Sequence, residues 1–243
     1  MRIDVYPSLL GLEPTRLEGR TAIAIDVLRA TSVIVTALAN GAEAVLPALT
    51  PEEAREVAAG LPPGRFLLAG ERESRLIPGF DLANSPREYT AGRVAGRVIV
   101  LTTTNGTRAI RACEPASAVL VGSFLNAGAV ARAAAGEQKP VAIVCAATRG
   151  EFDLGDVAAA GAIVAGIRRG FAPGAEPELN DLARAAHDLF DLHRKRLGEL
   201  LAGTRHGGGL ERLGLGGDLP RCAALDSRPV VPWYRQGRIT LVP

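Results

Sequence analysis

The chain has 243 residues, 47% hydrophobic and 22% charged, which is enough to bury a substantial core in one large domain or two small ones. Its formal net charge of +2, without any Lys/Arg run or aromatic-basic alternation, gives no support for a nucleic-acid surface. No apolar run is long enough to span a bilayer, an acid interrupts the first residues where a signal peptide would be apolar, and three widely spaced cysteines make neither a disulfide framework nor a thiolate zinc site, so a cytoplasmic protein is expected.

In chain order, short β-branched runs alternate with Ala-rich helical runs, the pattern of a largely parallel or mixed sheet layered between helices. Strands are expected at 2–6, 21–25, 43–48, 66–69, 97–101, 117–122 and 140–145, and helices at 29–39, 51–59, 85–91, 105–112, 125–135 and 154–169. Thr50-Pro51-Glu52-Glu53 and Ser85-Pro86-Arg87-Glu88 each offer an N-cap hydroxyl followed by proline at the first helical position and Glu at the third. From Gly170 the composition changes: 171–177 reads as a linker, 179–202 as a charged amphipathic helical region and 203–217 as a Gly-rich stretch. The whole is read as one domain, 1–243, with 171–217 a helical insertion or cap. The last apolar runs, 228–234 and 238–242, return to the sheet or cover one of its edges.

Three strands end in polar tips. Strand 21–25 empties into Asp26-Val27-Leu28-Arg29-Ala30-Thr31-Ser32, strand 97–101 into Thr102-Thr103-Thr104-Asn105-Gly106-Thr107-Arg108, and strand 140–145 into the run from Ala146 to Asp156. Ligands of doubly wound sheets sit outside the carboxyl ends of the strands, so these tips mark one candidate site. Hydroxyls, an amide, guanidiniums and free helix-start N–H groups suit phosphate or sulfonate oxygens. Glu151, Asp153 and Asp156 beside them are the oxygen donors Mg²⁺ prefers, and a divalent ion beside an anion points to phosphoryl transfer or hydrolysis.

Each feature also has a plainer reading. Asp26 is suited to capping the helix that follows it, the threonines to ending a strand, Asn105-Gly106 to a tight turn, and the acids of 151–156 to a helix N-terminus. The coincidence of all of them at one end of the sheet favours a site.

The order and spacing of further blocks carry a resemblance. Asp26-Val27-Leu28-Arg29-Ala30-Thr31, Gly70-Glu71-Arg72, Gly79-Phe80-Asp81-Leu82-Ala83-Asn84-Ser85-Pro86, the Thr102–Arg108 tip, Ala160-Gly161-Ala162-Ile163, Arg205-His206-Gly207 and Val231-Pro232 are similar to the 2-phosphosulfolactate phosphatase (ComB) family over nearly the whole chain. The resemblance implies a ComB-like layered α/β/α fold and a Mg²⁺-dependent hydrolase that removes phosphate from 2-phospho-3-sulfolactate, a step toward coenzyme M in methanogens. The homodimer is a plausible assembly for such a protein. One departure stands out: where the family pattern leads to expect Ser-Leu-Glu-Asp, this chain has Asp153-Leu154-Gly155-Asp156.

Residue chemistry and resemblance together give the candidate site. Asp26, Arg29 and His206 are the candidate catalytic residues. Thr31, Arg72, Asn84, Ser85, Thr103, Thr104, Asn105, Thr107, Arg108 and Arg149 are candidate contacts to a small phospho-acid, and some of Asp26, Glu71, Asp81, Glu151 and Asp156 are candidate Mg²⁺ ligands. Rival phosphatase chemistries fit less well: Asp26 is followed two residues later by Leu28 instead of a second Asp, Arg149 stands four residues after Cys145 instead of six, and Arg205-His206-Gly207 follows no first strand. Water attack or an Asp26 nucleophile is expected, and the rival class is a non-catalytic sensor of a phosphorylated acid.

Overall fold

The computed structural model describes residues 1–172 and 174–241. The first half alternates as the apolar patterning requires: β1 (Arg2–Tyr6), β2 (Thr21–Ile25), α1 (Ala30–Ala39), β3 (Ala44–Ala48), α2 (Pro51–Ala59), β4 (Phe66–Arg72), β5 (Arg75–Leu76), α3 (Ala91–Val94), β6 (Val98–Thr102), α4 (Gly106–Ala112), β7 (Ala118–Gly122), α5 (Ala127–Gly136), β8 (Val141–Cys145) and α6 (Leu154–Arg168). There follow β9 (Glu178–Leu179), α7 (Asp181–His193), α8 (Leu197–Gly203), α9 (Arg205–Arg212), α10 (Leu219–Cys222), β10 (Pro232–Arg235) and β11 (Arg238–Leu241).

The strands form an 11-stranded mixed sheet in the order β5-β4-β6-β3-β11-β10-β7-β2-β8-β1-β9. Two parallel blocks, β4-β6-β3 and β7-β2-β8-β1-β9, are joined through the antiparallel β10–β11 hairpin. Alternation along the strands decides which layer each face covers. Ala22, Ala24, Val121 and Val144 of one block meet Val45, Ile99 and Leu101 of the other in a single core with Val33, Ile34 and Ala37 of α1 and Ile110 of α4. Helix α1 is apolar on all sides and buried along Ala30–Leu38, as a helix enclosed in a core must be. Ile3, Val5, Ile23 and Ile143, on the opposite face, pack with α5, α6 and α7. Helix α2 covers the outer face of β3, β4 and β6.

The expected strands agree with those observed to within a residue, except that β4 runs on to Arg72. One expectation changes and two become more definite. The segment 85–91 is one 3₁₀ turn, Pro86–Glu88, and the short α3 beyond it, and Ser85 makes no side-chain cap; Thr50 does, accepting from Glu53 N at 3.1 Å. The Gly-rich stretch holds α9, whose N-cap Thr204 accepts from Gly207 N at 2.9 Å. The C-terminal runs enter the middle of the sheet, Trp233 and Tyr234 pairing with Leu120 and Val119, and Ile239 with Val45. Pro173 of the expected linker and Val242 of the last run lie outside the described residues.

Candidate active site

Asp26 leaves β2 and sits 7% exposed where α1 begins. Thr31 fixes this corner: its hydroxyl donates to Asp26 O at 2.8 Å and accepts from Asp26 N at 3.1 Å. The Leu28–Arg29 peptide that follows is cis. Asp26 Oδ1 accepts from Ala30 N at 3.3 Å, whereas Oδ2 has no protein donor among the described residues. Gly106 at the head of α4 approaches this free oxygen. A Cβ at that position would lie 2.6 Å from Oδ2 and 2.4 Å from Ala30 Cβ. The glycine of Asn105-Gly106 thus serves close approach, and its φ is not positive.

Burial pushes the Asp26 carboxyl up to about 6, against the effect of nearby His206, with Asp153 and Glu71 adding to the rise. Glu71 stands at the tip of β4, near enough for its charge to raise Asp26. Its Oε1 accepts from Thr104 N and its Oε2 from Ser74 N, both at 2.8 Å. Gly70 makes this possible: at φ +153°, it brings β4 against Thr102, whose carbonyl oxygen would be 2.1 Å from a Cβ.

The Thr102–Arg108 tip divides into a folded part and an open part. Thr107 N donates to Thr103 Oγ1 at 3.1 Å, Thr107 Oγ1 donates to Thr103 O at 3.1 Å, and both residues are buried. The hydroxyls of Thr103 and Thr107, like that of Thr31, therefore hold the backbone. Thr104 and Arg108 remain exposed and Asn105 half-exposed. Arg72 is tied down too, donating to Glu71 O at 2.7 Å, Leu49 O at 3.3 Å and Thr102 Oγ1 at 3.0 Å.

The third tip gives up its acids to the fold. Asp153 is the N-cap of α6, its Oδ1 accepting from Gly155 N and Asp156 N at 2.9 and 3.3 Å. Asp156 joins two tips, accepting from Val27 N at 2.8 Å and Ala147 N at 3.2 Å, and desolvation with Asp153 and Asp26 nearby holds its carboxyl well above the usual range. Thr148 Oγ1 donates to Asp153 Oδ2 at 2.7 Å, with His206 Nδ1 3.3 Å from the same hydroxyl and 3.8 Å from Oδ2. Burial raises the Asp153 carboxyl, but nearby His206 and the Thr148 hydrogen bond outweigh it and hold the group below its ordinary value. Cys145 at the end of β8 is buried, and its thiol is pushed well above the usual range by desolvation and the carboxylates of Asp156 and Asp153, which keeps it from thiolate chemistry.

A buried network closes the site beside α1. Arg29 Nη1 donates to Asp218 Oδ2 at 2.7 Å and Nη2 to Ser74 O at 3.2 Å, while Ser85 Oγ donates to Asp218 Oδ1 at 2.6 Å. Next to Ser85, Asn84 is 4% exposed and its Oδ1 has no partner. Sequence reasoning missed Asp218: it follows an unremarkable Gly-Gly pair 189 residues from Arg29, and only the buried arginine calls for an acid.

The remaining candidates lie apart from this centre. Asp81 is exposed and accepts from Leu68 N at 2.8 Å, two residues before the glycine at the β4 tip. Glu151 is exposed and paired with Arg205, and Arg149 is exposed beside it. Among the described residues no three His, Cys, Asp or Glu side chains form a ready-made cage for a metal. The donors at the centre nevertheless fit Mg²⁺, which binds through one or two carboxylates with waters and substrate phosphates completing its shell. Asp26 offers a free oxygen and Glu71 a second carboxylate, and burial, with smaller contributions from Asp153 and Glu71, already makes the Asp26 charge costly without a cation.

The fold is that of an α/β enzyme, and its candidate site holds a buried, half-unpaired carboxylate. The chain belongs to the 2-phosphosulpholactate phosphatase family, whose model matches residues 9–237. It is 48% identical to a probable 2-phosphosulfolactate phosphatase of Symbiobacterium thermophilum over 226 residues, 93% of this chain and 96% of the relative. Proteins of the same description from Caldanaerobacter subterraneus subsp. tengcongensis (39% identical, 98% of this chain and 97% of the relative) and Clostridium perfringens (38%, 100% and 97%) are similar along the same length.

Proposed function

We propose that the protein hydrolyses the phosphate monoester of 2-phospho-3-sulfolactate, releasing sulfolactate and inorganic phosphate, with Mg²⁺ as cofactor. Membership of the family supports the reaction class. The observation that carries the reading to particular residues is Asp26, a buried carboxylate with one oxygen unpaired, near Glu71 and His206. Mg²⁺ bound at Asp26 and Glu71 would polarise the phosphoryl oxygens and make a water molecule more acidic.

The chain's own groups do the rest. The exposed Thr104 hydroxyl, the Asn105 amide and the Arg108 guanidinium are free to meet phosphate and sulfonate oxygens, where Arg binds bidentately. Water attacks phosphorus, the ester P–O bond breaks, protonated His206 gives its proton to the departing alkoxide, and the proton of the attacking water leaves on the product phosphate; Thr148 and Asp153 orient the ring. Phosphate release from a panel of phospho-acids including 2-phospho-3-sulfolactate, with and without Mg²⁺, tests the assignment. Thermal stabilisation by one of them without any release of phosphate would establish a sensor instead. Trapping of an aspartyl phosphate at Asp26 by borohydride reduction during turnover would replace direct water attack by a covalent intermediate.

A further inference from the structure

A cavity of about 610 Å³ lies between the second half of α1 and the segments that follow Ser85 and Asp218. That volume is typical of small-molecule sites. Its lining includes Arg87, Arg221 and Arg228 and no acidic side chain. Among the described residues none of these three guanidiniums forms an ion pair or a side-chain hydrogen bond. In a chain whose 28 basic and 26 acidic residues nearly balance, three unpaired arginines around one cavity leave a local positive charge that a bound anion would neutralise. Neutral groups add to this: Asn40 Nδ2 donates to Tyr89 O at 2.6 Å, which leaves its Oδ1 to receive a hydroxyl, and the Thr90 side chain makes no cap bond to α3.

The lining contains neither Asp26, Glu71 nor His206. The cavity adjoins the Arg29–Asp218–Ser85 network along the chain: Arg87 lies two residues beyond Ser85, and Arg221 three beyond Asp218. We infer that this cavity is a second anion site, separate from the one centred on Asp26, for a small organic acid bearing two or more negative groups. Guanidiniums contributed by three separate positions favour a ligand that spans them over a single inorganic phosphate. The inference is independent of the phosphatase assignment.

Citrate, a tricarboxylate that no phosphatase consumes, is the probe. Titration calorimetry on the full chain in metal-free buffer is expected to give one citrate per chain, bound more tightly than inorganic phosphate. Binding should weaken about tenfold or more in Arg221→Ala/Arg228→Ala, and in Arg87→Ala as an independent variant, since each removes charged hydrogen bonds. Asp26→Asn should bind citrate as the parent does. Citrate binding that is absent, that survives both arginine variants, or that disappears in Asp26→Asn would overturn the inference. So would sedimentation showing that Arg221→Ala/Arg228→Ala splits an oligomer of a parent that binds no citrate, because the cavity would then belong to a contact between copies.

Discussion

The head of α4 lies against the Asp26 carboxylate: a Cβ placed on Gly106 would come within 2.6 Å of Asp26 Oδ2 and 2.4 Å of the Ala30 Cβ. Neither neighbour can swing away, because Asp26 is tethered to Ala30 N and Thr31, and Ala30 begins a buried helix. Gly106→Ala must therefore displace α4 or the carboxylate. Overpacking of this kind costs about 1–3 kcal/mol, and a displacement near 1 Å at a reacting group costs about 10²-fold in rate. The variant is expected to fold with a lowered Tm and to lose about 10²-fold in kcat, measured by thermal melting and phosphate release. An unchanged kcat would mean that the position of Oδ2 does not matter to the reaction.

Asp26 should govern the acid side of the pH profile. Its carboxyl is raised to about 6 in the metal-free fold because burial disfavours the charge, so a proton should compete with Mg²⁺ at Asp26 and kcat/KM at limiting Mg²⁺ should fall below that pH. The folded value lies above the ordinary 3.8. The native state therefore holds this proton more tightly than the unfolded chain, and the associated stability is present below about pH 4 and lost as pH rises through about 6. Above that, the ionised group destabilises the fold. Asp26→Asn is expected to abolish turnover yet raise stability at pH 8 in EDTA by on the order of 1–3 kcal/mol, with the gain gone at pH 4. Denaturant titrations at the two pH values check both halves.

Removing Asp218 should damage the molecule more than any surface acid. It and Arg29 are each 2% exposed in their side chains, and a buried charge left without its partner costs about 3–5 kcal/mol. Asp218→Ala also strips the Ser85 hydroxyl of its acceptor. Arg29→Met/Asp218→Leu, which removes both charges, should be more stable than the sum of the two single losses. Urea midpoints for the four proteins complete the cycle, and strict additivity would show that the pair does not interact.

Much of this arrangement was legible in the sequence. Parallel strands announce themselves by unbroken apolar runs, so the three tips and the Thr50 cap could be placed before any geometry was known. What individual hydroxyls do there was not legible, since Thr103, Thr104 and Thr107 look alike in the chain. Two of them tie backbone and one faces solvent because of where α4 turns. Ser85 has the local signature of a cap, yet its hydroxyl goes to Asp218, a partner 133 residues away that no local pattern encodes. The same holds for the hairpin of β10 and β11: two short apolar runs look like edge strands, and only pairing on both sides places them centrally. The acids of 151–156 took the plainer reading, with Asp153 and Asp156 spent on backbone N–H groups.

His206 is positioned to act on the leaving group, and the choice of ester exposes that role. Its Nδ1 faces Thr148 Oγ1 at 3.3 Å and Asp153 Oδ2 at 3.8 Å, which leaves Nε2 to carry the transferred proton. An alkoxide leaves poorly without a proton, whereas the phenolate of p-nitrophenyl phosphate needs none. His206→Asn should therefore cost about 10²–10⁴-fold with 2-phospho-3-sulfolactate, the usual worth of general acid catalysis, and much less with the aryl ester. Asp153→Asn, which leaves the imidazole in place but weakens its orientation, should fall between parent and His206→Asn on the first substrate. Equal losses on both esters would assign His206 to binding the phosphoryl group instead of protonating the alkoxide.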